Sequence, residues 1–173
     1  ISMQAPIAAY LQALHAQLAS ANAGELASYI PELTKANPTW LGVSIVTLDG
    51  VAYSVGDAEQ RFTIQSISKP FVYGMALADR GQQAMADKVG VEPSGDAFNS
   101  ISLHPQTGAP LNPMINAGAI ATTSLVAGRT TEAQWQRIES SIATFVGHPV
   151  TVDESVYQSE SSTGHRNRAI AWM

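Results

Sequence analysis

RFTIQSISKPFVYGM, residues 61–75, decides how this chain of 173 residues is read. Ser66 and Lys69 stand three positions apart. On a helix such positions share a face, so hydroxyl and amine can meet. Pro70 follows directly. Proline is tolerated in the first turn of a helix and damaging further in, so the helix begins close to it. Ser66 then falls at or beside the helix N-terminus, where backbone N–H groups lack partners and the dipole is positive. A serine there, with an amine one turn on, has the makings of an activated nucleophile. Ser-x-x-Lys is a short pattern, however. The same residues also read as an N-cap serine, Ser66 or Ser68, beside a solvated Lys69. The surrounding chain has to choose between these readings.

Downstream, the helix runs through Tyr73, Leu77 and Asp79 to a Gly81 cap, and residues 82–89 form a short second helix closed by Gly90. Residues 91–113 carry four prolines and form a long loop; loops of that length are usually functional or disordered. Residues 115–127 are mostly Ala, Gly, Thr and Ser, a helix that packs closely and is expected to be central. Thr131-x-x-Gln134 reads as a capping box, opening a helix that turns Trp135, Ile138, Ile142 and Phe145 to the core and stops at Gly147. Asp153 caps a further helix to about Ser161, and Thr163 or Gly164 starts a last one with Ile170 and Trp172 on one side.

Upstream, residues 40–48 and 51–55 read as strands joined by a two-residue Asp49-Gly50 hairpin, with a short edge piece at 61–64. Residues 25–29 form a helical turn ending against Ile30-Pro31. Residues 6–21 form an amphipathic helix through Ile7, Tyr10, Leu11, Leu14 and Leu18.

Apolar residues make up 45% of the chain and charged residues only 13%, against a usual charged share of about 25%. Much of the surface is therefore expected to be covered by more chain or by another subunit. A net charge of −5 with no Lys/Arg cluster argues against nucleic acid. The absence of cysteine excludes a disulfide framework, a zinc–thiolate site and a Cys nucleophile, and fits a reducing, cytoplasmic compartment. No stretch approaches the ~18 apolar residues of a membrane span, and no basic region followed by an apolar run marks a signal peptide. His15, His104, His148 and His165 are scattered without ligand spacing, and Asp153, Glu154 and Glu160 offer too few oxygens for a hard cation. No metal and no cofactor are expected.

One hairpin alone is not a stable sheet, and the chain stops inside an apolar segment, Ala169-Ile170-Ala171-Trp172-Met173. The expectation is that residues 1–173 are the N-terminal part of a single, longer catalytic domain. Ile1-Ser2-Met3 is read as including a remnant ahead of a native Met3.

Several blocks occur in order: Tyr29-Ile30-Pro31-Glu32-Leu33, Trp40-Leu41-Gly42-Val43-Ser44, Phe62-Thr63-Ile64-Gln65-Ser66-Ile67-Ser68-Lys69-Pro70 and Val89-Gly90-Val91-Glu92-Pro93-Ser94-Gly95. Asn112-Pro113-Met114-Ile115-Asn116-Ala117-Gly118-Ala119-Ile120 and Ser159-Glu160 followed by Arg166-Asn167 complete the set. Together they resemble the serine-dependent glutaminases, which share the fold superfamily of class A β-lactamases and penicillin-binding proteins. The resemblance implies an α/β protein of the α+β type, with helices packed on an antiparallel sheet that is incomplete in this chain. Family members continue past Met173. There they supply two pocket tyrosines, the strand corresponding to the Lys-Thr-Gly strand of β-lactamases, and a second oxyanion donor.

The resemblance further implies hydrolysis of L-glutamine to glutamate and ammonia. Ser66 would form an acyl-enzyme and Lys69 would take its proton, which requires the amine to be neutral. Ile67, Phe71 and Met75 are candidates for its apolar surround. By the same resemblance Tyr29, Gln65, Ser66, Asn116, Glu160 and Asn167 bind substrate, with Glu160 suited to the α-ammonium. The full-length form is expected to be a homo-oligomer. The competing readings are another acyl-serine enzyme of the fold, acting on β-lactams or D-Ala peptides, and a non-catalytic interaction domain. No Ser-Asp-Asn motif supports the first of these.

Overall fold

The computed structural model describes residues 4–173, so Ile1-Ser2-Met3 lie outside the described residues. The chain divides into two compact units, one of Ile1–Thr63 with Gln158–Glu160 and one of Ile64–Tyr157 with Ser161–Met173.

In the first unit, helix α1 (Gln4–Leu18) packs on an antiparallel pair of strands, β1 (Gly42–Val46) and β2 (Ala52–Gly56). The register runs from Gly42 opposite Gly56 to Val46 opposite Ala52. Thr47 N donates to Val51 O (3.0 Å) and Gly50 N to Thr47 O (2.9 Å). The loop therefore has three residues, 48–50, where the Asp-Gly pair suggested two. A two-residue type I′ turn needs positive φ at both central positions. Here Gly50 has φ +81° and Asp49 stays negative, so glycine takes the left-handed place at the end of a wider loop.

Leu11 of α1 is buried and Ile7 and Leu14 are partly covered, but Tyr10 and Leu18 stay exposed. His15 Nε2 donates to Leu41 O (3.0 Å) and ties α1 to the sheet. No helical turn forms at 25–29. A 3₁₀ turn starts two residues later, at Pro31–Lys35, with Pro31 first and Ile30 extended before it. Proline pre-sets φ for the first position of such a turn and pushes its predecessor out of the helical region. Glu32 N donates to Ser159 Oγ (3.1 Å). Residues 61–64 form no strand.

The second unit is helical: α2 (Ser68–Arg80), α3 (Gln82–Ala86), α4 (Asn116–Leu125), α5 (Thr131–Val146), α6 (Glu154–Thr163, grouped with the first unit at Gln158–Glu160) and α7 (His165–Trp172). Val72, Met75 and Ala76 of α2 form a core with Met85 and Val126. Ile115, Ala117 and Ile170 form a second core with Leu103 and Ile120 against it. Thus α4 packs against both α2 and α7, the central place its small residues imply.

The cap of α5 is Thr130, one residue before the expected Thr131; its Oγ1 accepts from Ala133 N (3.2 Å). Gln134 does not close a capping box. It donates instead to Val126 O (2.9 Å), bridging to the end of α4. Ile138 and Ile142 face inward, whereas Trp135 and Phe145 are exposed. Asp153 caps α6, accepting from Val156 N at 3.1 Å. On α7, Ile170 is buried while Trp172 is 90% exposed, so the two do not share a buried side. Among the described residues no helix is long and apolar enough to cross a membrane.

Candidate active site

The turn ahead of α2 is built by its sequence. Residues 65–67 form a 3₁₀ turn that runs directly into α2. Pro70 is the third residue of α2, where its missing N–H would have had no intrahelical partner. Ser68 Oγ donates to Gln65 O (2.7 Å). Ser66 therefore sits two residues ahead of Ser68, the first residue of α2, at the place expected, and it is exposed. Gln65 has φ +46°, the one non-glycine residue with positive φ among those described. A left-handed non-glycine residue costs of order 1 kcal/mol, and such outliers gather at functional sites.

Lys69 leaves the first turn of α2 toward the N-terminus of α4. Its Nζ donates to Asn116 Oδ1 (2.7 Å) and to Met114 O (3.1 Å). The Phe98 ring lies beside it, with Nζ 5.7 Å from the ring centroid. Burial pushes the pKa of Lys69 down from its ordinary value, because lost hydration disfavours the charged form. No hydrogen bond joins Ser66 Oγ to Lys69 Nζ; the amine's contacts are with α4 and the long loop.

The α4 end is itself held. Asn112 Oδ1 accepts from Met114 N (3.0 Å) and Ile115 N (3.2 Å), and Asn112 Nδ2 donates to Glu92 O (3.0 Å). This turn orients the Met114 carbonyl. A Cβ on Gly118 would lie 1.8 Å from the Asn112 carbonyl oxygen, so only glycine lets α4 approach the turn this closely. Asn116 does not cap its helix; its Nδ2 donates to Asn167 Oδ1 on α7 (3.4 Å).

Of the residues singled out by sequence, Gln65, Ser66, Lys69, Asn116 and Asn167 thus belong to the second unit, and the last three form a connected chain. Tyr29, exposed ahead of the first 3₁₀ turn, and Glu160, exposed on α6, belong to the first unit. Sequence reasoning passed over Asn112 and Phe98. Asn112 stood in a quoted block without a role, and its Asn-Pro pair is a turn signal. Phe98 lies in the long loop without periodicity to mark it.

A family model for glutaminase matches residues 24–173. The chain is 52% identical over 168 residues to a glutaminase of Trichormus variabilis, covering 97% of this chain and 50% of that protein. It is 46% identical over 160 residues to glutaminase 1 of Escherichia coli K12, covering 92% of this chain and 52% of that protein. Among solved structures it resembles the probable glutaminase ybaS with a TM-score of 0.92 at 42% identity, over 99% of this chain and 56% of that one. It resembles a probable Bacillus subtilis glutaminase, solved in complex with 6-diazo-5-oxo-L-norleucine, with a TM-score of 0.79 at 33% identity, over 99% and 51% of the two chains. The β-lactamase-like fold of these neighbours agrees with the helices and antiparallel strands seen here. The chain spans about half the length of the curated relatives it matches.

Proposed function

This chain belongs to the glutaminase family, and from that membership we propose that the full-length protein hydrolyses L-glutamine to L-glutamate and ammonia through an acyl-enzyme on Ser66. The observation that carries the mechanism is the set of partners around Lys69. Both acceptors of its amine, Met114 O and Asn116 Oδ1, are neutral, and burial disfavours its charge. A neutral amine has two N–H donors and one lone pair. With both donors engaged by Met114 O and Asn116 Oδ1, the lone pair is free to take the Ser66 proton.

Ser66 Oγ then forms a bond to the amide carbon. The C–N bond breaks, and the proton held by Lys69 leaves with ammonia. Water, deprotonated by the same amine, attacks the ester and returns Ser66. The substrate's α-amino and α-carboxylate groups fall to Tyr29, Gln65, Asn116, Glu160 and Asn167, with the Glu160 carboxylate answering the α-ammonium. Lys69 as base and these five ligands are supported by their types and by their places in family motifs.

Residues 1–173 are in this reading the N-terminal part of one catalytic domain, inactive alone, in a cytoplasmic and self-associating enzyme. The test is glutamate release from L-glutamine by the full-length protein, with mass-spectrometric capture of a glutamyl ester on the peptide holding Ser66. The isolated chain, assayed in parallel, is expected to show no turnover until the remainder is supplied in trans. Hydrolysis without an adduct on that peptide, or turnover by the isolated chain at an ordinary enzyme's ~10 s⁻¹, would reject the reading.

A further inference from the structure

The loop between α3 and α4 reaches the amine with one aromatic side chain. Residues 91–113 are fastened by several contacts. Glu92 N donates to Leu111 O (3.2 Å) and Leu111 N to Ser102 O (3.1 Å), while the buried Ser102 hydroxyl donates to Asp96 Oδ2 (2.6 Å). The carbonyl of Phe98 accepts from Asn116 N (2.9 Å), and Asn116 is the first residue of α4 and the acceptor for Lys69. Its ring stands within cation–π reach of the same amine.

We infer that Phe98 is a positioning residue for Lys69: its ring shields the amine from water while its carbonyl is tied to the helix end that holds that amine. The inference rests on the reading of Lys69 as the base. An aromatic face near an ammonium has two opposed effects: its π-density favours the cation, and its bulk removes water and favours the neutral amine. Burial lowers the Lys69 pKa, and in this proposal the ring's share of that burial exceeds its pull on the cation. The groups facing the amine are the Met114 carbonyl, the Asn116 amide with Asn167 behind it, and the Phe98 ring. None is charged. On the elements packed around them, α4 and α3 carry no titratable side chain, and Tyr73 is the next titratable residue on α2. Arg137 of α5 is engaged by Asp79, Arg168 of α7 by His165 and Ser161, and Asp96 of the loop by Ser102. The remaining charged residues of these elements are Arg80, Glu132, Glu139 and Arg166, with Glu92 and His104 in the loop.

The experiment compares Phe98→Ala, Phe98→Leu and Lys69→Arg in the full-length enzyme through the pH profile of kcat/KM. Phe98→Ala is expected to move the ascending limb to higher pH and to lower kcat/KM at pH 7 by about threefold or more, mainly through kcat. Phe98→Leu, which keeps apolar cover without a π-face, is expected to restore the limb. Phe98 is half-exposed, so the melting temperature is expected to stay near that of the wild type in both. A limb that stays in place or moves to lower pH in Phe98→Ala overturns the inference while leaving Lys69 as base. Substantial activity in Lys69→Arg, which cannot deprotonate, overturns both.

Discussion

The two ends of α2 hold their charges in opposite ways. At the C-terminal end, Asp79 is almost wholly covered and Arg137 of α5 grips it, Nε donating to Oδ2 at 2.9 Å and the guanidinium also reaching Oδ1. Ala127 N adds a third contact at 2.8 Å, and Arg80 Nε donates to Leu125 O at 2.8 Å. The hydrogen bond from Arg137 holds the Asp79 carboxyl below its ordinary pKa. At the N-terminal end, Lys69 meets a carbonyl, an amide and the Phe98 ring, and burial lowers its pKa. A bidentate ion pair locks charge over a wide pH range. A half-buried amine among neutral acceptors stays free to gain or lose a proton. One end fixes a charge and the other, in the proposed mechanism, exchanges a proton, on a single helix of 13 residues.

The contrast breaks most severely if Lys69 does not serve Ser66 as proposed. Ser66→Ala is expected to lower kcat/KM for glutamine by about 10⁴-fold or more, with the circular dichroism spectrum unchanged because the side chain is exposed. Activity within tenfold of the wild type would remove Ser66 from the mechanism. Lys69→Arg is expected to lose roughly 10²–10⁴-fold, nearly as much as Lys69→Ala, since arginine keeps the charge and cannot act as base.

Asn116→Asp makes the N-terminal end resemble the C-terminal one by placing a carboxylate beside the amine. A neighbouring anion raises an ammonium pKa, so the ascending limb of kcat/KM should move to higher pH, with a loss of about tenfold or more at pH 7. A limb that does not move would show that the protonation of Lys69 does not govern the rate. The smallest effect belongs to the locked end. Asp79→Asn is expected to lower the melting temperature at pH 7 by a few degrees with little change in turnover. Because the folded pKa of Asp79 is depressed, its contribution is complete above the unfolded value of about 3.9. It is lost as pH falls through the folded value, so the difference between wild type and variant should narrow under acid conditions. A constant difference would show that the carboxylate charge contributes nothing.

What was legible in the sequence follows from the range of the interactions. The start of α2, the small-residue α4 and the Asp153 cap rest on local rules, with Pro70, close backbone approach and a side-chain acceptor in turn, and they hold. The Thr130 cap slipped by one residue because two adjacent threonines offer the same hydroxyl and only the backbone angles choose between them. The misplaced turn near Pro31 has a similar origin, since the proline was read as a stop where it serves as a start. Trp135, Phe145 and Trp172 follow helical spacing yet are exposed, because periodicity marks a face without saying what covers it. In the site, Ser66 and Lys69 were legible from spacing. Asn116 and Asn167, 51 residues apart, were named only through the resemblance and their contact was not foreseen; Asn112 carried a local Asn-Pro turn signal that was passed over, while Phe98 acts through loop geometry that no local pattern encodes.

The strained backbone at Gln65 bears on any attempt to evolve this protein in the laboratory. A selection for heat tolerance rewards every relief of conformational cost, and a left-handed glutamine is an obvious target. Glycine or asparagine would adopt its φ of +46° more readily. Such winners would relax the turn that carries Ser66, and if Ser66 is the nucleophile proposed here, the surviving clones would grow sturdier as their chemistry faded. Freezing position 65 in the library keeps those two traits from being traded against each other.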